Sequence, residues 1–262
     1  MLVLGIETSC DETSVAIVED GCRIVSLKIY SQIAEHAPFQ GVVPEIASRA
    51  HLEKINFLYQ AVMEESGVAP EDLNGIAVTN RPGLPGSLLM GAQFARCFAM
   101  VYDLPLALVD HVEAHFYAVC LEGYDISYPS LGLLLSGGNS AVFRIEGLEE
   151  LPILADTDDD ALGEAYDKCA SILGLGFPGG PALEELAARS MPGAPLILPP
   201  LLREMPVPRF SFSGIKTAVQ KAFRSGADPV AVAYSFQERT VELVLRVLRR
   251  AVDTSGLTTI IA

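Results

Sequence analysis

The chain has 262 residues, a net charge of −15 and a mean hydropathy of +0.34, and half its residues are hydrophobic. That length can bury a sizeable core in one or two domains, while the acidity argues against gripping nucleic acid by bulk electrostatics. No uninterrupted apolar run reaches the ~18 residues of a membrane span; Leu88–Val109 comes closest and is broken by Arg96, Asp103 and Pro105. The N-terminus lacks a basic lead and meets Glu7, Asp11 and Glu12 at once, as a folded start does rather than a signal peptide. The five cysteines (Cys10, Cys22, Cys97, Cys120, Cys169) show no CxxC spacing. They suit free thiols in a reducing cytosol, so the expected location is cytoplasmic, and Cys10 reads as a small buried residue.

Leu2–Ile6, Ser14–Val18 and Ile24–Tyr30 read as three strands, the last two joined by the Asp20-Gly21 turn. Leu52–Glu65 has helical spacing, with Gly67 and Pro70 beyond its end. Ile76–Thr79 is a short strand, Ser87–Val101 a helix and Leu106–Val109 a strand. A helix then opens at His111. Ser130–Ser136 and Ala141–Ile145 form a second hairpin. Leu4-Gly5-Ile6 against Leu131-Gly132-Leu133, each in a hairpin with a polar turn, suggests a duplicated lobe and an α/β class. The expected division is an N-terminal α/β lobe over 1–110 and a C-terminal lobe over 111–262. Helices are predicted over Ala161–Leu173, Pro181–Arg189 and Pro229–Val252, with a strand starting at Thr258. The proline-rich stretch 191–208 reads as a loop or insertion outside the core.

His111 and His115 stand four apart, which on a helix places two imidazoles on one face about 6 Å apart, able to grip one divalent metal. Leu134-Leu135-Ser136-Gly137-Gly138 follows an apolar strand and offers bare backbone N–H groups to a phosphate. Glu7 to Ser14 packs carboxylates and hydroxyls into the first turn, which fits either a metal-associated or proton-handling site or a solvated turn. Gly83-Leu84-Pro85-Gly86-Ser87 reads chiefly as a packing turn before a helix. Asp167, followed by the glycine-rich run Gly174–Pro181, reads as a ligand surface. Lys216, among the hydroxyls and aromatics of Phe210–Thr217, is a candidate phosphate contact or a helix-capping element.

Seven motifs in order, ETSCDETS, RPGLPGSLLMG, HVEAH, LLSGGNS, GEAYDKCASILGLGFPGGP, FSFSGIKTAV and YSFQE, resemble the TsaD family, the bacterial tRNA N6-adenosine threonylcarbamoyltransferases. The resemblance runs from Met1 to Ala262. It implies a duplicated two-lobe fold of the actin, Hsp70 and sugar-kinase type. It also implies transfer of a threonylcarbamoyl group from threonylcarbamoyl-adenylate to an adenosine beside the tRNA anticodon, with release of AMP. The site it implies has His111 and His115 on one divalent metal, iron(II) or zinc. Leu134, Leu135, Ser136, Gly137, Gly138, Asp167, Gly180 and Glu184 meet the adenylate, and Asp11 is the catalytic or orienting carboxylate. Implied partners are tRNA, a paralogous dimerising subunit and an ATPase subunit.

Three departures stand out: Asn139 where bacterial members usually have histidine, Glu184 where aspartate is common, and an end at Ala262 inside an apolar strand. The last predicts a C-terminally incomplete chain whose second lobe lacks its final elements and whose metal lacks its third protein ligand. A piece of a normal enzyme is the favoured explanation. The alternatives are a truncated non-catalytic paralogue that dimerises within the same complex, or a metal site completed by a carboxylate among Asp156–Asp160. A metalloprotease needs His-Glu-x-x-His, and position 112 is valine.

Overall fold

The computed structural model describes residues 1–147, 150–201 and 209–262. The chain divides into two units, Met1–Ile126 and Ser127–Ala262. In the first, β1 (Leu2–Glu7), β2 (Glu12–Glu19) and β3 (Arg23–Ser31) form an antiparallel meander. A short helix α1 (Ile33–His36) precedes the long α2 (Pro44–Ser66). Then β4 (Gly75–Arg81), α3 (Pro85–Tyr102) and β5 (Leu106–Asp110) add two parallel strands beside β1, and α4 (His111–Tyr117) follows. The sheet order is β3-β2-β1-β4-β5. Leu4, Ile6, Val15, Ile17, Ile76 and Val78 fill one core with Ile55 and Val62 of α2 and Ala95 and Phe98 of α3.

The second unit begins with β6 (Ser130–Leu135), β7 (Ser140–Ile145) and β8 (Ile153–Ala155). Four helices follow, α5 (Leu162–Ile172), α6 (Gly179–Ala187), α7 (Ser213–Arg224) and α8 (Pro229–Ser255), and then β9 (Ile260–Ile261). Its sheet order, β8-β7-β6-β9, repeats β3-β2-β1-β4 strand for strand. The register repeats as well. Leu4 faces Ile76 and Gly5 faces Ala77 across the parallel pair; Leu131 faces Ile260 and Gly132 faces Ile261. The duplication expected from the two Leu-Gly steps is therefore real at the level of hydrogen-bonded pairs. The turn after β1 and the turn after β6 are equivalent positions.

Two boundaries differ from expectation. The units part after Ile126, not after residue 110, because α4 is held by the first unit: Phe116 is buried, Asp110 caps the helix, and the His111 ring bonds Ser9 and Glu7. Helix α2 starts at Pro44, ahead of its apolar periodicity, since a proline at the first position presets the helical φ. The stretch after Met191 is not outside the core as far as it is described. Leu198 is buried among Phe236 and Leu243, and the Ile197 N–H donates to Ser235 Oγ at 2.9 Å. Residues 202–208 of the expected insertion, including Arg203, lie outside the described residues. Among the described residues no helix is long and apolar enough to cross a membrane.

Candidate functional site

In the first unit Asp110, the last residue of β5, accepts hydrogen bonds from the Val112 and Glu113 N–H groups and so starts α4 at His111. One turn later comes His115. The two Nε2 atoms face each other at 3.1 Å. On the far side of the His111 ring, Nδ1 lies 3.3 Å from Glu7 Oε2 and 3.2 Å from Ser9 Oγ. A carboxylate can only accept, so Nδ1 carries a proton, and in the neutral form of the ring Nε2 is bare toward His115.

Glu7 is the centre of this arrangement. Its carboxylate accepts from the Ser9 N–H, the Thr79 hydroxyl and His111, joining β1, β4 and α4. Burial pushes the Glu7 carboxyl up, but the hydrogen bonds from His111, Ser9 and Thr79 outweigh it and hold the group at about 2. The same hydrogen bond raises His111 against the effect of burial, while burial and the neighbouring His111 lower His115.

The donor set fits a divalent metal. Two nitrogens about 2.0–2.1 Å from one zinc lie about 2.9 Å apart at a right angle and about 3.4 Å apart at the tetrahedral angle. The observed 3.1 Å falls between those limits. Among the described residues no group of three His, Cys, Asp or Glu side chains converges as a metal site. Within the second unit, Asp156 accepts from the Thr157 N–H, Asp158 pairs with Arg209, Asp159 binds Ser211, Phe212 and Ser213 at the start of α7, and Asp160 pairs with Lys168 and Lys216. Lys216 and Arg209 are thereby engaged with carboxylates.

Asp11 sits in the bend between β1 and β2, half-buried, with its carbonyl held by the Gln32 N–H at 3.1 Å. The Gly83 loop packs behind this bend. The Leu84 N–H donates to the Ser9 carbonyl at 2.8 Å, and a Cβ on Gly83 would lie 2.6 Å from that oxygen. The RPGLPGS glycines thus serve close packing. Cys10, expected to be buried, is exposed.

In the second unit the Ser136–Asn139 turn joins β6 to β7. Leu134 is buried and Leu135 partly so. The Ser136 N–H donates to the Asn139 carbonyl at 2.8 Å, and Ser136 Oγ accepts from the Asn139 N–H at 3.1 Å. Gly137 and Gly138 at the tip are exposed, with open space where a Cβ would stand. Helix α5 begins against this turn: the Gly163 N–H donates to the Ser136 carbonyl at 3.1 Å. Four residues on, Asp167 Oδ1 accepts from the Gly179 N–H at 2.7 Å and seats the start of α6. Gly180 and Glu184 lie one turn apart on α6, Glu184 exposed. The expected donor-binding residues therefore all lie in one unit, on β6 and the turn after it, α5 and α6.

Gly163 has no room for a side chain. Its Cβ would lie 2.7 Å from Gly137 Cα and 2.9 Å from the Ser136 carbonyl oxygen, both backbone and unable to swing aside. Gly163→Ala should cost about 1–3 kcal/mol in thermal or denaturant unfolding and shift the Gly137 and Gly138 amide resonances. Gly138→Ala, in open space, should leave stability within about 0.5 kcal/mol. Equal stability of the two variants would refute this packing.

Comparison with known proteins converges on one family. The model of the TsaD family, tRNA N6-adenosine threonylcarbamoyltransferase, matches residues 23–262. The chain belongs to this family. A Leptospira interrogans protein named tRNA N6-adenosine threonylcarbamoyltransferase is 50% identical over the whole chain, which spans 79% of that relative. One from Trichlorobacter lovleyi is 43% identical over 98% of the chain and 76% of the relative. Among solved structures, HypF in its phosphate- and nucleotide-bound form matches 99% of this chain and 39% of its own at a TM-score of 0.59 and 12% identity. Component A of the Acidaminococcus fermentans (R)-2-hydroxyglutaryl-CoA dehydratase matches 95% and 78% at 0.56 and 14%. These two likenesses concern the fold, which is that of actin-type ATPases and sugar kinases. The family's reaction is threonylcarbamoylation of adenosine N6 in tRNA, a transferase step of tRNA processing.

Proposed function

We propose that the chain transfers the threonylcarbamoyl group from threonylcarbamoyl-adenylate to the N6 amine of the adenosine beside the anticodon. The observation that carries this is the exposed Ser136-Gly137-Gly138 turn, braced by Gly163, whose bare backbone suits a phosphate. Leu134 and Leu135 shape the strand leading to it. Gly180 leaves space beside α6, Asp167 fixes that helix start, and the exposed Glu184 is the residue we assign to accept from a ribose hydroxyl.

The exocyclic amine is a poor nucleophile, because its lone pair is delocalised into the purine. The mixed anhydride is already activated. The new N–C bond forms at the carbamoyl carbon, the C–O bond to phosphate breaks, and AMP leaves. Positioning and charge neutralisation carry most of the acceleration. Asp11 accepts the proton lost by the amine. His111 and His115 would hold one divalent ion, iron(II) or zinc, with Glu7 orienting His111. Bound there, such an ion supplies Lewis acidity and neutralises phosphate charge. A paralogous dimerising subunit and an ATPase subunit are the partners we assign, and the cytoplasm is the location.

The test is direct. Incubating the protein with threonylcarbamoyl-adenylate, tRNA and the proposed partners should yield threonylcarbamoylated adenosine in digested tRNA and AMP in equal amounts. Hydrolysis of the adenylate with no modified nucleoside, at any partner concentration, would refute the assignment.

A further inference from the structure

Two of the four histidines play no part in the site described so far. His36 and His51 are completely buried, as are Gln32 and Thr13 beside them. The hydrogen bonds to backbone groups set the directions here; the 3.5 Å approach of Gln32 Nε2 to His51 Nε2 brings two donors together and is not a hydrogen bond. The Cys10 carbonyl can only accept, so His51 Nε2, 3.0 Å away, carries its proton and Nδ1 is bare. Nδ1 accepts from the Thr13 hydroxyl at 2.8 Å, and Gln32 Nε2 approaches the same atom at 3.4 Å. Gln32 Oε1 accepts from His36 Nε2 at 3.1 Å, and His36 Nδ1 accepts from the Val43 N–H at 3.3 Å. The result is one line of donors running from Val43 through His36, Gln32 and His51 to the Cys10 carbonyl.

That line ends on the turn that carries Asp11. The Cys10 carbonyl belongs to the peptide group before the Asp11 Cα and receives His51, with Ser87 Oγ at 3.3 Å as a second donor. The Asp11 carbonyl belongs to the peptide group after it and receives the Gln32 backbone N–H. With both planar groups pinned, φ and ψ of Asp11 are both set, and with them the direction of the Cα–Cβ bond from which its carboxylate hangs. A buried apolar side chain of similar size would fill the space of His51 and leave the Cys10 carbonyl with Ser87 Oγ, the longer of its two contacts.

We propose that His51, together with Gln32, is a positioning residue for the transfer reaction, acting through the Cys10–Asp11 peptide without touching either substrate. This rests on the assignment of Asp11 as the proton acceptor. His51→Leu should lower kcat about tenfold or more, since small misplacements of a reacting group are costly, and leave KM for adenylate and tRNA within about twofold. His51→Gln, whose amide nitrogen can take the place of Nε2, should recover most of the loss. In unmodified protein, nitrogen-15 NMR of the histidine rings should show His51 as the Nε2–H tautomer.

Three results would overturn the proposal: wild-type kcat in His51→Leu, a loss that His51→Gln does not recover, or an Nδ1–H tautomer in the unmodified protein. The tautomer measurement holds even where His51→Leu does not fold. The Asp11→Ala background separates the two assignments. If both hold, adding His51→Leu there changes kcat little. A full additional loss shows that His51 does not act through Asp11, whereas undiminished kcat in Asp11→Ala alone removes the Asp11 assignment.

Discussion

Asp11→Ala should lower turnover about 10²–10⁴-fold, the range a positioned proton acceptor contributes, while adenylate affinity changes by no more than about threefold. The difference follows from the roles proposed: the Ser136 turn, α5 and α6 hold the adenylate, whereas Asp11 takes up the proton of the attacking amine. Its backbone is held by Gln32, and the neighbouring Cys10 carbonyl by His51 and Ser87, so truncating its side chain leaves the turn in place. Asp11→Asn should behave like the alanine variant, because the amide keeps the shape but cannot take up the amine proton. Parallel measurement of kcat and of adenylate Kd decides it. Equal losses in both would make Asp11 a binding residue.

The strands, the duplication and the histidine pair were legible in the sequence because they rest on local patterns. Period-two alternation marks β1 to β3, and the Leu-Gly step recurs in β1 and β6 with matching partners in β4 and β9. His111 and His115 are neighbours by helix geometry alone. The groups that make the pair specific were not legible. Glu7, Ser9 and Thr79 come from β1, the turn after it and β4, up to 104 residues away from His111, and nothing in their spacing announces that they meet. Glu7 was visible only as one carboxylate among several in a polar turn. His51 and His36 were further from view, since a buried histidine leaves no periodic signature. Strand β8 is three residues long and α1 four, too short for any period to register.

Glu7→Ala should weaken divalent-metal binding about ten- to a hundred-fold, the usual cost of losing the group that orients a histidine ligand. The cause is the tautomer. With the Glu7 carboxylate at Nδ1, the proton stays on that side and Nε2 is free to donate its lone pair toward His115. Without it, only Ser9 Oγ remains at Nδ1, and a hydroxyl accepts or donates equally well, so the ring spends time with its proton on Nε2, where it blocks a ligand bond. Glu7→Gln should fall between wild type and alanine, since its amide oxygen can still accept but its charge is gone. His115→Ala should lose more than either, because it removes a donor atom rather than orienting one. Titrating zinc(II) or iron(II) into metal-free protein, below the melting temperature of each variant, measures all three. Thr79→Val gives the control, since it removes one hydrogen bond to the carboxylate and leaves Nδ1 untouched. If Glu7→Ala binds metal as tightly as wild type, the carboxylate serves only to tie β1 to β4, and the pairing of His111 with His115 does not depend on it.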